Sequence, residues 1–486
     1  MSIPRISNWV NGRETVPAEQ GWLEKVNPHS GKLQSLVADS SPQDVREAVV
    51  AASLAFSAWA GLPSIQRGQL LFALVALLQQ NRNEIIDCLQ EETGKPPQDA
   101  AGEVAAAVAQ GQFFAGEGMR LYGRFLNSGV PGKRSHTVRE PRGVAGLIVP
   151  ANTPLANVAW KAFPALICGN TVVLKASEDA PRVAQIFARL TREAGFSEGV
   201  FNVVQGRGQP AGATLVTDEA VRVISFTGST EVGRWVAEAA GRRLARVSLE
   251  LGGKNAFVVC DDANLDHAVD WATRSAFSNA GQRCASASRI LVFSGIYREF
   301  RDRLIEKTRE LKLGVQKGCD LGPLIHARSR ARILQALAGA RQRGGKIIVG
   351  GQPPSEPELA QGFYLQPTLV EGLPPDDPLN HEELFGPVAT LEAVRGLDEA
   401  VEAANRGLYG LTAAIHTSSI HKALEFSKRV LSGVVNINLG TFGSEPHMPF
   451  GGFGLSGNGT REPGVEALDV YSELKTVSWF GYPPVA

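Results

Sequence analysis

Over the first third of the chain, apolar residues recur at helical spacing. Val45, Val49, Ala52, Phe56 and Trp59 share one face of a helix that Ser41-Pro42 opens, with Pro at its first position. A second apolar helix is predicted over 66–90, and Thr93-Gly94-Lys95-Pro96-Pro97 breaks it. A third, rich in Ala, is predicted over 98–118, and a short strand near Asn8–Val10 precedes them all. From residue 144 the period changes. Short β-branched runs recur at Val144–Val149, Thr171–Lys175, Val200–Val204, Val223–Phe226 and Ala256–Val259, most of them separated by helix-length segments. That alternation predicts a parallel sheet covered on both faces. A second such stretch, about 264 to 438, has strand candidates at Ile290–Phe293, Lys346–Val349, Ala389–Leu391, Thr412–Ile415 and Val434–Ile437. Ser135–Glu140 and Asp469–Trp479 alternate without belonging to either unit, as strands at sheet edges or subunit contacts do.

Composition narrows the class. The chain has 486 residues, enough for two or three domains. Lys+Arg and Asp+Glu balance at 49 each, so no nucleic-acid or anionic-membrane footprint is read. The longest apolar run, Leu70–Leu78, is far short of the ~20 residues of a membrane helix, and Met1 to Arg13 carries no secretory pattern. Five widely spaced Cys, at 88, 168, 260, 284 and 319, include no C-x-x-C. They speak against a disulfide framework or a metal site and for a reducing, cytoplasmic setting.

Two glycine turns are candidates for phosphate binding. Gly206-Arg207-Gly208-Gln209-Pro210-Ala211-Gly212 follows a strand, but its spacing is one residue longer than the dinucleotide fingerprint, and an ordinary turn accounts for it as well. Phe226-Thr227-Gly228-Ser229-Thr230-Glu231-Val232-Gly233 also follows a strand and opens a helix. It reads equally as a pyrophosphate turn at a positive helix end or as an N-capped helix. Lys175 and Glu178 end the strand Thr171–Lys175, where a dinucleotide sheet meets the adenosine ribose. A carboxylate there accepts from ribose hydroxyls and repels a 2′-phosphate; a solvated charged turn is the plainer alternative.

Cys284 sits in Asn279-Ala280-Gly281-Gln282-Arg283-Cys284-Ala285, among small residues and after a cation, a setting expected to favour the thiolate; the plainer alternative for a lone Cys is a buried small hydrophobe. Thirty-four residues upstream, Glu250 lies between Leu249 and Leu251 and before Gly252-Gly253. A Glu in apolar company has a raised pKa and suits a general base; the alternative is a strand-end Glu paired with Lys254.

Together these segments resemble the aldehyde dehydrogenase superfamily over nearly the whole chain. The resemblance is carried by Pro150-Ala151-Asn152, Gly169–Glu178, Phe226–Gly233, Glu250–Lys254, Gly281–Cys284, Glu383–Val388 and Pro449-Phe450-Gly451-Gly452, in the family's order. It implies an NAD(P)-dependent enzyme of α/β fold: a Rossmann-like parallel-sheet cofactor domain (1–119 and 142–252), a second α/β catalytic domain (253–453) and a small β-strand oligomerisation arm (120–141 and 466–486). It implies that Cys284 is the nucleophile, that Asn152 with the Cys284 N–H holds the oxyanion, and that Glu250 activates water against a thioester. Lys175 and Glu178 match adenosine-ribose contacts, Gly228 and Ser229 the pyrophosphate turn, and Glu383 and Phe385 the nicotinamide-ribose contacts. Pro150, Gly208, Val232 and Leu251 complete the expected cofactor contacts. NAD is expected rather than NADP, with a small aldehyde as substrate, no metal, and a homodimer or homotetramer as the assembly.

Three departures from the family pattern stand out. Ala151 replaces a frequent Trp, which is expected to widen the inner pocket. Thr153 replaces a common aromatic, which makes the channel more polar. The segment between Phe450 and Glu462 is one residue longer than in many relatives, so no proton-relay role is carried over to Glu462. The expected substrate pocket comprises Thr153, Asn157, Trp160, Arg283 and Phe450, with Lys161 and His447 nearby. Such a channel suits an aldehyde with a second polar or anionic group, gripped by Arg283; the plainer alternative is an Arg283 that points away and pairs with a structural carboxylate. The other readings are a coenzyme A-acylating semialdehyde dehydrogenase, which does not need Glu250, a silent cofactor-binding protein, and a thiol hydrolase, which needs a His base.

Overall fold

Strands Val144–Ile148, Thr171–Lys175, Phe201–Val204 and Val221–Thr227 form where the apolar runs lie in the computed structural model, which describes residues 3–19 and 21–481. With Arg246–Glu250 they make five parallel strands of a seven-stranded sheet. Its spatial order is Arg246–Glu250, Val221–Thr227, Val144–Ile148, Thr171–Lys175, Phe201–Val204, then Asn8–Val10 and Arg13–Thr15 antiparallel at the edge. Thr171–Lys175 is buried at every position, as a strand covered on both faces must be. Among the five parallel strands Val144–Ile148 comes first in the chain, and the later ones are added on both sides of it. The strand order therefore reverses between Val144–Ile148 and Val221–Thr227, and a crevice opens there beyond the carboxyl ends.

The second sheet has seven strands in the order Lys346–Val349, Thr368–Glu371, Val388–Val394, Ala287–Phe293, Asn255–Val259, Thr412–His416, Val434–Ile437. Only the Lys346–Val349 edge is antiparallel. The run Ala256–Val259 follows the first sheet's strands in the pattern, but the observed strand Asn255–Val259 pairs with Ala287–Phe293 and Thr412–His416 and belongs to this sheet. A third, antiparallel sheet joins Ser472–Phe480, Lys133–Pro141 and Phe125–Leu126, with nine residue pairs from Ser472↔Pro141 to Phe480↔Lys133. Residues 1–2 and 482–486 of the expected ranges lie outside the described residues.

Helix Pro42–Gly61 is capped by Ser41, whose hydroxyl and backbone N–H pair reciprocally with Asp44. The helix expected over 66–90 is two, Ser64–Gln80 and Arg82–Thr93. Asn81 separates them, and its amide donates back to the Leu77 carbonyl at 2.8 Å, competing with the helix ladder. The Ala-rich helix runs Pro97–Glu117 and packs on Pro154–Ile167. No single helix among the described residues is long and apolar enough to cross a membrane.

Candidate active site

Cys284 follows a tight turn. Asn279, Ala280 and Gly281 all have left-handed backbones, with φ of 53°, 54° and 67°. A β-carbon on Gly281 would lie 2.2 Å from the Gly386 carbonyl, so only Gly lets these two segments meet. Asn255 fixes the turn's exit, donating to the Cys284 and Ser286 carbonyls at 2.7 and 2.8 Å. Gln282 is buried and bridges Pro323 and Ile325.

Asn152 approaches from the carboxyl end of Val144–Ile148. Its amide donates to the Gln282 carbonyl at 2.9 Å, while its side-chain oxygen has no partner. Its backbone carbonyl accepts from Lys95 (2.9 Å) and Asn279 (3.2 Å). Lys95 pairs with buried Glu103, whose other oxygen accepts from the Leu155 and Ala156 N–H groups at the start of Pro154–Ile167. Neither Lys95 nor Glu103 was singled out in the sequence, yet they hold Asn152 against the thiol loop.

Two cavities meet at Cys284. One, about 700 Å³, lies in the crevice at the strand-order reversal. Pro150, Gly228, Ser229, Leu251, Glu383 and Phe385 line it, as expected, along with Asn152, Thr153, Asn157 and Trp160. Thr230 of the same glycine turn also lines it, as do Arg332, His381 and Tyr409, which carried no sequence signal. A β-carbon on Gly252 would fall 2.1 Å from a Glu383 carboxylate oxygen, and Gly253 donates to that carboxylate at 3.3 Å. The Gly pair thus lets Glu383 close over the strand end. Burial pushes the Glu383 carboxyl up to about 7. Phe385 has φ of 54°, a strained backbone at the cavity wall.

Four expected cofactor residues do not line this cavity. Gly208 and Val232 are exposed. Lys175, buried at its strand end, pairs with Glu178 at 3.2 Å. Burial is the largest single influence and works against the Glu178 charge, but Lys175, a backbone N–H and Arg328 together hold the carboxyl below its usual range. Ser229 is both things the sequence left open: it lines the cavity, and it caps helix Thr230–Gly241, accepting from the Val232 N–H at 3.4 Å.

The second cavity, about 400 Å³, is lined by Thr153, Trp160, Arg283 and Phe450 together with Asp99, Glu103, Gln110, Phe442 and Ser444. Trp160 and Phe450 meet edge to face at 5.4 Å. The Arg283 guanidinium lies over the Phe442 ring, 5.1 Å from its centre. Lys161 and His447, expected nearby, do not line it. Lys161 is buried instead, donating to Glu462 and Ser225, each at 2.7 Å. Ser225 and Tyr471 also donate to Glu462, at 2.7 and 3.3 Å.

The thiol departs from its expected state. Burial pushes Cys284 up to about 12, and the Glu383 and Glu250 carboxylates add to the effect. The Arg283 charge opposes this only weakly, so the adjacent cation does not secure a thiolate. Glu250 is buried at its strand end with both carboxylate oxygens unpartnered, and no pair with Lys254 forms. It borders Gly451, where a β-carbon would come within 3.0 Å of it, and it lines neither cavity. Burial first, and Glu462 second, raise its carboxyl well above the usual range.

Comparison with known proteins accords with this geometry. The sequence profile of the aldehyde dehydrogenase family matches residues 15–477. An alpha-ketoglutaric semialdehyde dehydrogenase of Bacillus subtilis is 37% identical over 475 residues, 97% of either chain. The solved structure of PnpE in complex with nicotinamide adenine dinucleotide superposes with a TM-score of 0.96 at 36% identity, covering 99% of this chain and 98% of that one. A betaine aldehyde dehydrogenase of Staphylococcus aureus, solved with NAD+, gives 0.96 at 30% identity, covering 99% and 95%. The chain belongs to the aldehyde dehydrogenase family.

Proposed function

We propose that this NAD-dependent aldehyde-oxidising enzyme works through Cys284, Asn152 and Glu250 and releases a free carboxylic acid. The observation that carries the reading is the position of Cys284 at the junction of the two cavities. One cavity is fit for a dinucleotide: it lies at the strand-order reversal, it is lined by the N-terminus of helix Thr230–Gly241, and Gly252 leaves space against Glu383 that a β-carbon would fill. Gly228, Ser229, Leu251, Glu383 and Phe385 would hold NAD there, and the bound cofactor supplies the hydride acceptor. The Lys175–Glu178 pair, at the end of a neighbouring strand, faces the adenosine ribose in this reading.

The thiolate of Cys284 adds to the aldehyde carbon and the carbonyl oxygen becomes an oxyanion. Asn152 has one N–H engaged by Gln282 and a second free to donate; with the Cys284 N–H it stabilises that oxyanion. Loss of hydride from the tetrahedral carbon restores the carbonyl as a thioester. Glu250, once deprotonated, takes a proton from water as its oxygen adds to the thioester, and the tetrahedral adduct expels the Cys284 thiolate, to which Glu250 can return the proton. The sheet of Ser472–Phe480 exposes Leu474, Trp479 and Phe480, which suits an oligomer contact. A homodimer or homotetramer in the cytoplasm fits this surface and the free cysteines.

The test mixes protein, NAD+ and butanal and follows NADH absorbance, with and without coenzyme A. NADH and butanoate form without coenzyme A if the reading holds. Dependence on coenzyme A would move the enzyme to the acylating class, and no NADH would overturn the assignment.

A further inference from the structure

Helix Pro154–Ile167 carries two strongly polar side chains among apolar ones, Asn157 and Lys161. Lys161 is committed to Glu462 and Ser225. Asn157 is committed at one end only. Its Nδ2 donates to the carbonyl and hydroxyl oxygens of Thr153, one turn back, each at 2.9 Å. Turned over, the amide would set Oδ1 against that carbonyl, so these bonds fix which end faces away.

Asn157 is 9% exposed. Its Oδ1 accepts from none of the described residues, yet it is not closed off from solvent as Oδ1 of Asn152 is. The space it opens onto is the chamber at the strand-order reversal, which Asn157 lines. It does not line the second cavity, where the sequence placed it. An acceptor open to a chamber takes its hydrogen bond from what fills that chamber.

Asn157 stands beside the wall that the two cavities share. Thr153 and Trp160, four residues before it and three after it, line both cavities, as do Asn152 and Cys284. Residues at those spacings lie on one helix face. The carbon bonded to Cys284 gives up its hydride at this wall, so the ring that accepts it, the nicotinamide, lies here. That ring has one exocyclic polar group, a carboxamide with two N–H donors. Other acceptors near the thiol are out of reach or in use. Oδ1 of Asn152 is closed off, the Thr153 hydroxyl already accepts from Asn157, and Glu250 lines neither cavity. Glu383 belongs to the nicotinamide ribose in the reading above.

We propose that Asn157 Oδ1 accepts a hydrogen bond from the nicotinamide carboxamide N–H2 and so sets how the ring is turned towards Cys284. The inference rests on the reading that seats the dinucleotide in this chamber. It adds no chemical step. Asn157 moves from the aldehyde's side of the site to the cofactor's.

Binding without turnover tests it. NAD+ and its 3-acetylpyridine analogue, in which a methyl stands where the carboxamide has NH2, are titrated into the protein by calorimetry with no aldehyde present. The wild type is expected to bind NAD+ about tenfold more tightly than the analogue, the scale of one hydrogen bond. In Asn157→Leu the gap is expected to close to within about twofold, through weaker binding of NAD+ while the analogue's Kd holds. Asn157→Met, a better helix former, repeats the measurement in case Leu is not tolerated. Calorimetry reads only binding-competent molecules, so the ratio of the two Kd values does not depend on the fraction folded. A merely structural role weakens both dinucleotides alike and leaves the tenfold gap. That result, or equal Kd values in the wild type, would overturn the contact and leave the chamber's assignment intact. Failure of the wild type to bind either dinucleotide would overturn the seating of NAD itself.

Discussion

Lys161 and Glu462 form an ion pair of 2.7 Å in which each side chain is only 1% exposed, and its charges act on Glu250 from behind. Lys161 favours the Glu250 carboxylate and Glu462 disfavours it. Removing Lys161 leaves Glu462 buried and uncompensated, which costs about 3–5 kcal/mol where such pairs are broken. Lys161→Met is therefore expected to lower the midpoint of urea denaturation sharply. Adding Glu462→Gln should restore much of the loss; no recovery in the double variant would show that the pair is not the cause.

Cys284→Ala should abolish NADH formation while NAD+ still quenches tryptophan fluorescence as in the wild type. Retention of more than a few per cent of turnover would remove Cys284 from the nucleophile's role.

Glu250→Gln separates acylation from hydrolysis. A burst of about one equivalent of NADH per active site, then slow turnover, is expected in stopped flow. Loss of the burst itself would assign Glu250 to activating the thiol.

The pH profile follows from two raised acids. The reactive forms of Cys284, pushed up to about 12, and of Glu250, pushed well above the carboxylate range, are the deprotonated ones. Both populations grow as pH rises, so kcat/KM for the aldehyde should climb steadily from about pH 6 to about 10. A profile flat over that range, or falling, would contradict these protonation states in the working enzyme.

Glu178 is expected to set cofactor preference in favour of NAD+. Its carboxylate already pairs with Lys175 at 3.2 Å, so Glu178→Ala frees an ammonium as well as removing a repulsion. A rise of about tenfold in the NADP+/NAD+ ratio of kcat/KM is the expected scale for one such charge contact. An unchanged ratio would exclude Glu178 from the choice.

Strand positions were legible where β-branched runs stood between turns, as at Thr171–Lys175, Lys346–Val349 and Val434–Ile437, whose bounds coincide with the observed strands. Arg246–Glu250 and Thr368–Glu371 were not: the first has only two apolar residues, Val247 and Leu249, spaced among polar ones, and the second only Leu369-Val370 between polar ends. Partnership was harder still: nothing local in Asn255–Val259 says which sheet it joins. Cys284, Asn152 and Glu250 stood out because each falls inside a family motif. The cavity wall from helix Pro97–Glu117 escaped notice, since an Ala-rich helix reads as core. A signal existed in Asp99, Glu103 and Gln110, polar residues repeating at helical spacing on one face of that helix. The thiol's state was misjudged for a different reason: a neighbouring cation is visible in sequence, whereas desolvation is a property of the folded surroundings.

The convergence of two chambers on one sulfur also governs traffic. The walls unique to one come from helix Pro97–Glu117 and the segment 442–446, and those unique to the other from the turn 227–231 and the segment 381–385. With dinucleotide in one chamber and aldehyde in the other, as proposed above, each occupant has walls of its own, and the acid need not wait for the reduced dinucleotide to depart. Which product leaves last is then a matter of relative residence times, and a substitution at either mouth can change the slow step of turnover without touching the chemistry between them.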